Sequence, residues 1–113
     1  MSIGTLPLIA AAMAAAISAH AAQVEWLSTV EHVLPIQSFV YGQLAVPPRI
    51  GDTLTWVNKD IVPHTATADD GSWDSGEIAP GDRWSMTLTA DTAPAYYCVF
   101  HPHMKATLPP LRP

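Results

Sequence analysis

The chain is poor in charge and in cysteine. Only 13% of its 113 residues are charged, five Lys or Arg against ten Asp or Glu, for a net charge of -5. That balance implies no basic surface for nucleic acid or anionic lipid. The acids form no continuous run either. Their densest stretch, Asp69, Asp70, Asp74, Glu77 and Asp82, reads as a solvated loop. A single cysteine, Cys98, cannot close an intramolecular disulfide, so the fold must stand on its core or on a bound metal. The length allows one small domain with one core. No internal repeat or low-complexity linker divides it. No substrate-side acid/base pair or nucleophile triad is visible, which argues against an enzyme and against a small-molecule substrate.

Charge is absent altogether from the first twenty-odd residues. Leu6 to Ile17 is an apolar, alanine-rich run, and Ala19-His20-Ala21 resembles a signal-peptidase site. Residues 1–21 therefore read as a signal peptide, and 22–113 as the exported domain. The run is shorter than the ~18 apolar residues of a spanning helix. Met1 to Pro7 lacks the usual Lys or Arg of a signal. Export predicts a periplasmic location. An uncommitted thiol is a liability in an oxidising compartment, whereas a metal-ligated one is protected.

Helical periodicity is also scarce. Short β-branched and aromatic runs alternate with Gly, Pro, Asp and Asn, the pattern of a small antiparallel sandwich. Val30 to Ile36 reads as a first strand, with Pro35 marking an edge or bulge. Phe39 to Val46 reads as a second, with Phe39, Tyr41 and Leu44 in the core. Thr53 to Asn58 alternates, Leu54 and Trp56 on one face, Thr53, Thr55 and Val57 on the other. His64 to Ala68 is extended and Trp73 to Ile78 irregular. Arg83 to Thr89 turns Trp84, Met86 and Leu88 inward. Tyr96-Tyr97-Cys98 is a strand, and Lys105 to Leu108 a short last one, because Pro109 and Pro110 remove ladder donors.

What the chain does have is Cys98-Val99-Phe100-His101-Pro102-His103-Met104. A thiolate, an imidazole and a thioether at Cys-x-x-His-x-x-Met spacing can be aimed at one point by one tight loop. His64, in Val62-Pro63-His64-Thr65, can supply a second imidazole. Two imidazoles and a thiolate with a long axial thioether define a blue-copper electron-transfer site, and the donor set suits one ion cycling between Cu(I) and Cu(II). Pro63 and Pro102 limit backbone freedom around the ligands. Each donor taken singly has a bland reading: surface His, buried Cys, core Met. Their combination in a β-rich exported chain favours the metal. His103 points away from His101 on a turn-like loop and reads as surface. His20 and His32 have no evident partner. A two-copper centre, needing two bridging cysteines, is excluded by count.

Three ordered stretches carry a family resemblance. They are Gly51-Asp52-Thr53-Leu54-Thr55-Trp56-Val57-Asn58-Lys59-Asp60, then Pro63-His64-Thr65, then Tyr96-Tyr97-Cys98 through Lys105. In these the chain resembles the cupredoxins, most of all the amicyanin-type and plastocyanin-like single-domain proteins, over about residues 30 to 108. The two-and-two spacing of Cys98, His101 and Met104 is similar to the short amicyanin loop. The resemblance implies an all-β Greek-key sandwich, the cupredoxin fold, with copper on His64, Cys98, His101 and Met104. It implies that His101 is the electron port, within an apolar docking rim that Pro63, Phe100, Pro102 and His103 could line. It also implies that the Thr65 N–H donates to the Cys98 sulfur, and that the Thr65 hydroxyl ties the ligand loops together. Three departures stand out: Thr92-Ala93-Pro94 replaces a Gly-Thr-Tyr, Ala106 replaces a Gly, and the last strand is broken by proline.

The expected function is a periplasmic, monomeric one-electron carrier between redox proteins. An amine dehydrogenase as donor and a c-type cytochrome as acceptor are suggested by the resemblance. The alternative is copper handling or resistance without electron transfer.

Overall fold

The computed structural model describes residues 28–113 together with Ser2, Gly4 and Thr5. The signal-peptide reading of residues 1–21, His20 included, otherwise lies outside the described residues. Among those described, no helix is long and apolar enough to cross a membrane.

Seven strands form two sheets. They are β1 (Glu31–Gln37), β2 (Val40–Tyr41), β3 (Thr53–Asn58), β4 (Thr67–Ala68), β5 (Arg83–Thr87), β6 (Ala95–Tyr97) and β7 (Lys105–Thr107). One sheet runs β2-β1-β3-β5 and the other β4-β6-β7. The alternation of β3 sends Leu54 and Trp56 into the space between the sheets, both fully buried. They meet Leu34 and Ile36 from β1, Tyr96 from β6, Ile78 and Leu88 from the connections, and Leu108 from the tail after β7. Trp56 packs against both Trp73 and Trp84, with ring centroids 5.6 and 5.7 Å away, and those two rings stack on each other at 6.3 Å. Its Nε1–H donates to the Tyr96 hydroxyl at 3.3 Å. A buried indole with its one donor satisfied is the largest single piece of this core.

The structure corrects the sequence reading in three places. The sandwich is not wholly antiparallel: β1 and β3 run parallel, from Glu31 opposite Thr53 to Ile36 opposite Asn58. Parallel neighbours need a crossover, and residues 42–52 provide it. The second strand is two residues long instead of eight. Phe39 lies outside it, on a tight turn, and is 49% exposed instead of being in the core. Thr55, on the opposite face of β3 from Leu54 and Trp56, is buried as well, and its hydroxyl shares a 2.7 Å hydrogen bond with Ser85 of β5. His32 has a partner after all, Asp52, at 2.8 Å.

The three prolines at issue are accommodated by position. Pro35 lies on β1 just past the end of the short β2 ladder, and its carbonyl still accepts the Gly42 N–H at 2.7 Å. The last strand ends at Thr107, before Pro109 and Pro110. The tail beyond is tied down: Arg112 donates its N–H to the Pro48 carbonyl and accepts from the Ile50 N–H, both at 2.9 Å.

Candidate metal centre

The site begins with a buried asparagine. Asn58 ends β3, and its side-chain Nδ2 donates to the carbonyls of Val62 and Ile78 at 2.8 and 2.9 Å. Its Oδ1 accepts the Asp60 N–H at 2.9 Å. One fully buried amide thus shapes the loop that delivers His64. The His64 backbone then pairs with Ile78, exchanging two hydrogen bonds of 3.1 and 2.7 Å. His64 has no exposed surface. Its Nε2 lies 2.7 Å from Asp60 Oδ2. With the Nε2 proton directed at that carboxylate, the Nδ1 lone pair is left for the interior. The Phe39 N–H on Asp60 holds its carboxyl below the ordinary range, against the opposing effect of burial and with help from His64 and the Ser38 N–H.

Cys98 follows directly on β6 and is fully buried. The loop it opens is closed by three backbone hydrogen bonds. Cys98 N–H donates to the Met104 carbonyl at 3.0 Å, His101 N–H to the Cys98 carbonyl at 3.2 Å, and Met104 N–H to the His101 carbonyl at 2.8 Å. This turn brings His101 Nδ1 to 3.6 Å from Cys98 Sγ, equal to the separation of His64 Nδ1 from the same sulfur. The three donor atoms all lie within 4.8 Å of one another. Met104, where the loop closes, is buried at 6% exposure in the adjoining core.

Thr65 links the two ligand segments. Its N–H donates to Cys98 Sγ at 3.4 Å, and its hydroxyl accepts the Val99 N–H at 2.9 Å. The hydroxyl is shared onward with Thr67, which donates to Asp74, each bond 2.9 Å. The Thr65 carbonyl accepts the Tyr41 hydroxyl proton. Burial, then the nearby Cys98 sulfur, pushes the Tyr41 phenol well above its ordinary range, so it stays a donor.

The donor set fits a metal ion. An ion held at about 2.0–2.1 Å from imidazole nitrogen and about 2.3 Å from sulfur separates the two by roughly 3.5–3.8 Å at tetrahedral-to-trigonal angles. The observed separations are 3.6 Å. Soft thiolate with imidazole selects copper or zinc over hard cations, and a neighbouring thioether favours copper. His64, Cys98, His101 and Met104 form a cluster consistent with a type 1 copper site. Of the remaining candidates, Phe100, Pro102 and His103 are exposed around a half-buried His101, and Pro63 is half-buried. His103 is not in the donor group.

Sequence reasoning missed Asp60, Asn58 and Tyr41 as supports and mistook Phe39 for core. Asp60 carried one usable signal, a carboxylate four residues before a candidate ligand histidine. Phe39 and Tyr41 carried none, because their contacts cross between elements distant in the chain.

No protein-family model matches the chain, and no curated protein does. Solved structures do. An oxidised amicyanin variant superposes with a TM-score of 0.60 at 23% identity, over 67% of this chain and 77% of its own. A reduced amicyanin variant matches with a TM-score of 0.57 at 27% identity over the same shares. A Cu(I) amicyanin variant gives 0.58 at 25% identity, again over 67% and 77%. The fold is that of amicyanin, a cupredoxin.

Proposed function

We propose that the chain is a type 1 copper protein, a periplasmic mobile one-electron carrier and not an enzyme. Copper would be held by His64, Cys98, His101 and Met104, in a Greek-key sandwich. The observation that carries this is the convergence of two imidazole nitrogens on one buried thiol sulfur, each at 3.6 Å. The likeness to amicyanin structures in oxidised and Cu(I) forms supports the same choice of metal.

The chain's own residues explain how such a site serves electron transfer. When bound, the ion supplies a Cu(I)/Cu(II) couple. The scaffold holds the donors so that they need to move little between the two states. Asp60 fixes His64, the Thr65 N–H stabilises charge on the sulfur, and three backbone bonds close the ligand loop. Burial of Cys98 and His64 keeps water away from the sulfur. His101 alone among the three donors is partly exposed, which makes it the route for the electron. Phe100 and Val99, both near half-exposed, with Pro102, Pro63 and His103, form an apolar rim on which a redox protein can dock. A dehydrogenase as donor and a c-type cytochrome as acceptor are the partners to try first, with the carrier a monomer.

Adding Cu(II) to the purified chain tests the reading. The expected result is an intense thiolate-to-copper visible band with narrow copper hyperfine splitting in EPR, both lost in Cys98→Ala. A colourless complex with unchanged thiol reactivity would end this proposal. A coloured complex that neither accepts nor donates an electron to a c-type cytochrome would leave copper handling as the function.

A further inference from the structure

The two imidazoles are not held alike. The far nitrogen of His64 is anchored by the Asp60 carboxylate at 2.7 Å. Among the described residues, the only side-chain hydrogen-bond partner of the His101 ring is the Cys98 sulfur. A metal-ligating histidine ordinarily has its second nitrogen fixed as well. For His101 no carboxylate or carbonyl among the described residues does this, so what the protein itself supplies to orient the ring is packing.

Phe39 is placed to do this. Its ring meets the His101 ring edge-to-face, with centroids 4.9 Å apart and planes at 87°. It meets the His64 ring in the same manner, at 5.4 Å and 88°. The turn that carries it is built against local preference. Ser38 and Phe39 are consecutive non-glycine residues with φ of 54° and 59°. A two-residue hairpin with both centres left-handed favours Asn-Gly, and a bulky residue there is unusual. Asp60 holds the turn in place: its Oδ1 accepts the Ser38 N–H at 2.6 Å and its Oδ2 the Phe39 N–H at 3.0 Å. The same Oδ2 contacts His64. One carboxylate thus fixes the first histidine and the turn whose aromatic ring packs on the second. Backbone strain maintained by specific hydrogen bonds beside a site points to a role in that site.

We propose that Phe39 is a positioning residue of the candidate copper centre, orienting His101 by edge-to-face packing where His64 is oriented by Asp60. The inference rests on the copper reading for its purpose, but its structural content can be tested without metal. Two variants separate packing from folding. Phe39→Gly removes the ring and suits the left-handed turn. Phe39→Leu keeps apolar bulk without an aromatic face. Phe39→Tyr keeps the ring and serves as the rescue.

In the metal-free chain, NMR relaxation of the His101 and His64 Cε1–H groups reads ring motion directly. The Gly and Leu variants should show increased motion or exchange at His101, with His64 little changed, and Tyr should restore the wild-type behaviour. In the copper-loaded chain the same two variants should release copper to a chelator about tenfold faster, the lower end of what loss of a ligand's support costs. Unchanged His101 relaxation in both Gly and Leu variants overturns the proposal. So does equal loosening of both histidines, which would mark a general loss of packing. Failure of the chain to bind copper would refute the functional reading, while the metal-free measurement would still decide the role of Phe39.

Discussion

At the scale of single residues, the least expected feature is the work done by a buried carboxylate in a chain with little charge. Asp52 is 3% exposed and accepts three donors: the Val30 N–H at 3.0 Å, the Arg49 N–H at 2.9 Å and His32 Nε2 at 2.8 Å. Burial alone would raise its pKa, but the hydrogen bonds from Arg49, His32 and Val30 outweigh it and bring the carboxyl down to about 2. The folded value lies below the unfolded one of 3.8. The stabilisation from Asp52 is therefore fully present above about pH 4 and is lost as pH falls toward 2. Asp52→Asn should cost about 2 kcal/mol near neutrality. In urea melts between pH 2 and 5, the variant should show a shallower acid decline than the wild type. Parallel declines would mean that Asp52 does not carry the effect.

At the scale of elements, the short hairpin of β1 and β2 matters more than its length suggests. It carries Phe39 to the histidines and Tyr41 to the Thr65 carbonyl. Its alignment depends on Gly42 passing close to Pro35. A Cβ at position 42 would lie 2.6 Å from Pro35 Cδ and 3.0 Å from the Pro35 carbonyl oxygen. A rigid ring and backbone cannot yield as a flexible side chain would. Gly42→Ala should therefore destabilise the fold by roughly 1–3 kcal/mol, as overpacking does, and thermal melts of the metal-free chain would measure it. Tyr41→Phe removes the donor to the buried Thr65 carbonyl. It should cost about 1–2 kcal/mol through an unsatisfied acceptor. Chemical denaturation checks this second value, and a loss below 0.5 kcal/mol, the bottom of the range for one hydrogen bond, would show that water replaces the hydroxyl.

At the scale of the whole molecule, two sheets that share one core also share one candidate metal site. His64 comes from the connection between β3 and β4, and Cys98 from the end of β6. A ligand that binds only the folded arrangement must stabilise it by mass action. At free copper one hundred times its dissociation constant, the gain is about 2.7 kcal/mol. The melting temperature should rise on copper addition and return on chelation. His64→Ala should reduce the rise sharply, and an equal rise in that variant would place the bound copper elsewhere.

Spacing along the chain was enough to name the candidate donors and the kind of domain. Cys98, His101 and Met104 lie within seven residues, so one loop must group them, and the alternation in Thr53 to Asn58 could only be a strand. These are local signals, legible because spacing along the chain equals spacing in space. The parallel pairing of β1 with β3, the partnership of His32 with Asp52, and the placement of Phe39 against both imidazoles emerge only in the folded chain. Each joins residues about twenty or more positions apart. Such contacts are selected by the packing of the whole core, and local preference can even oppose them. The left-handed Ser38-Phe39 turn shows this, since it persists because Asp60 holds it.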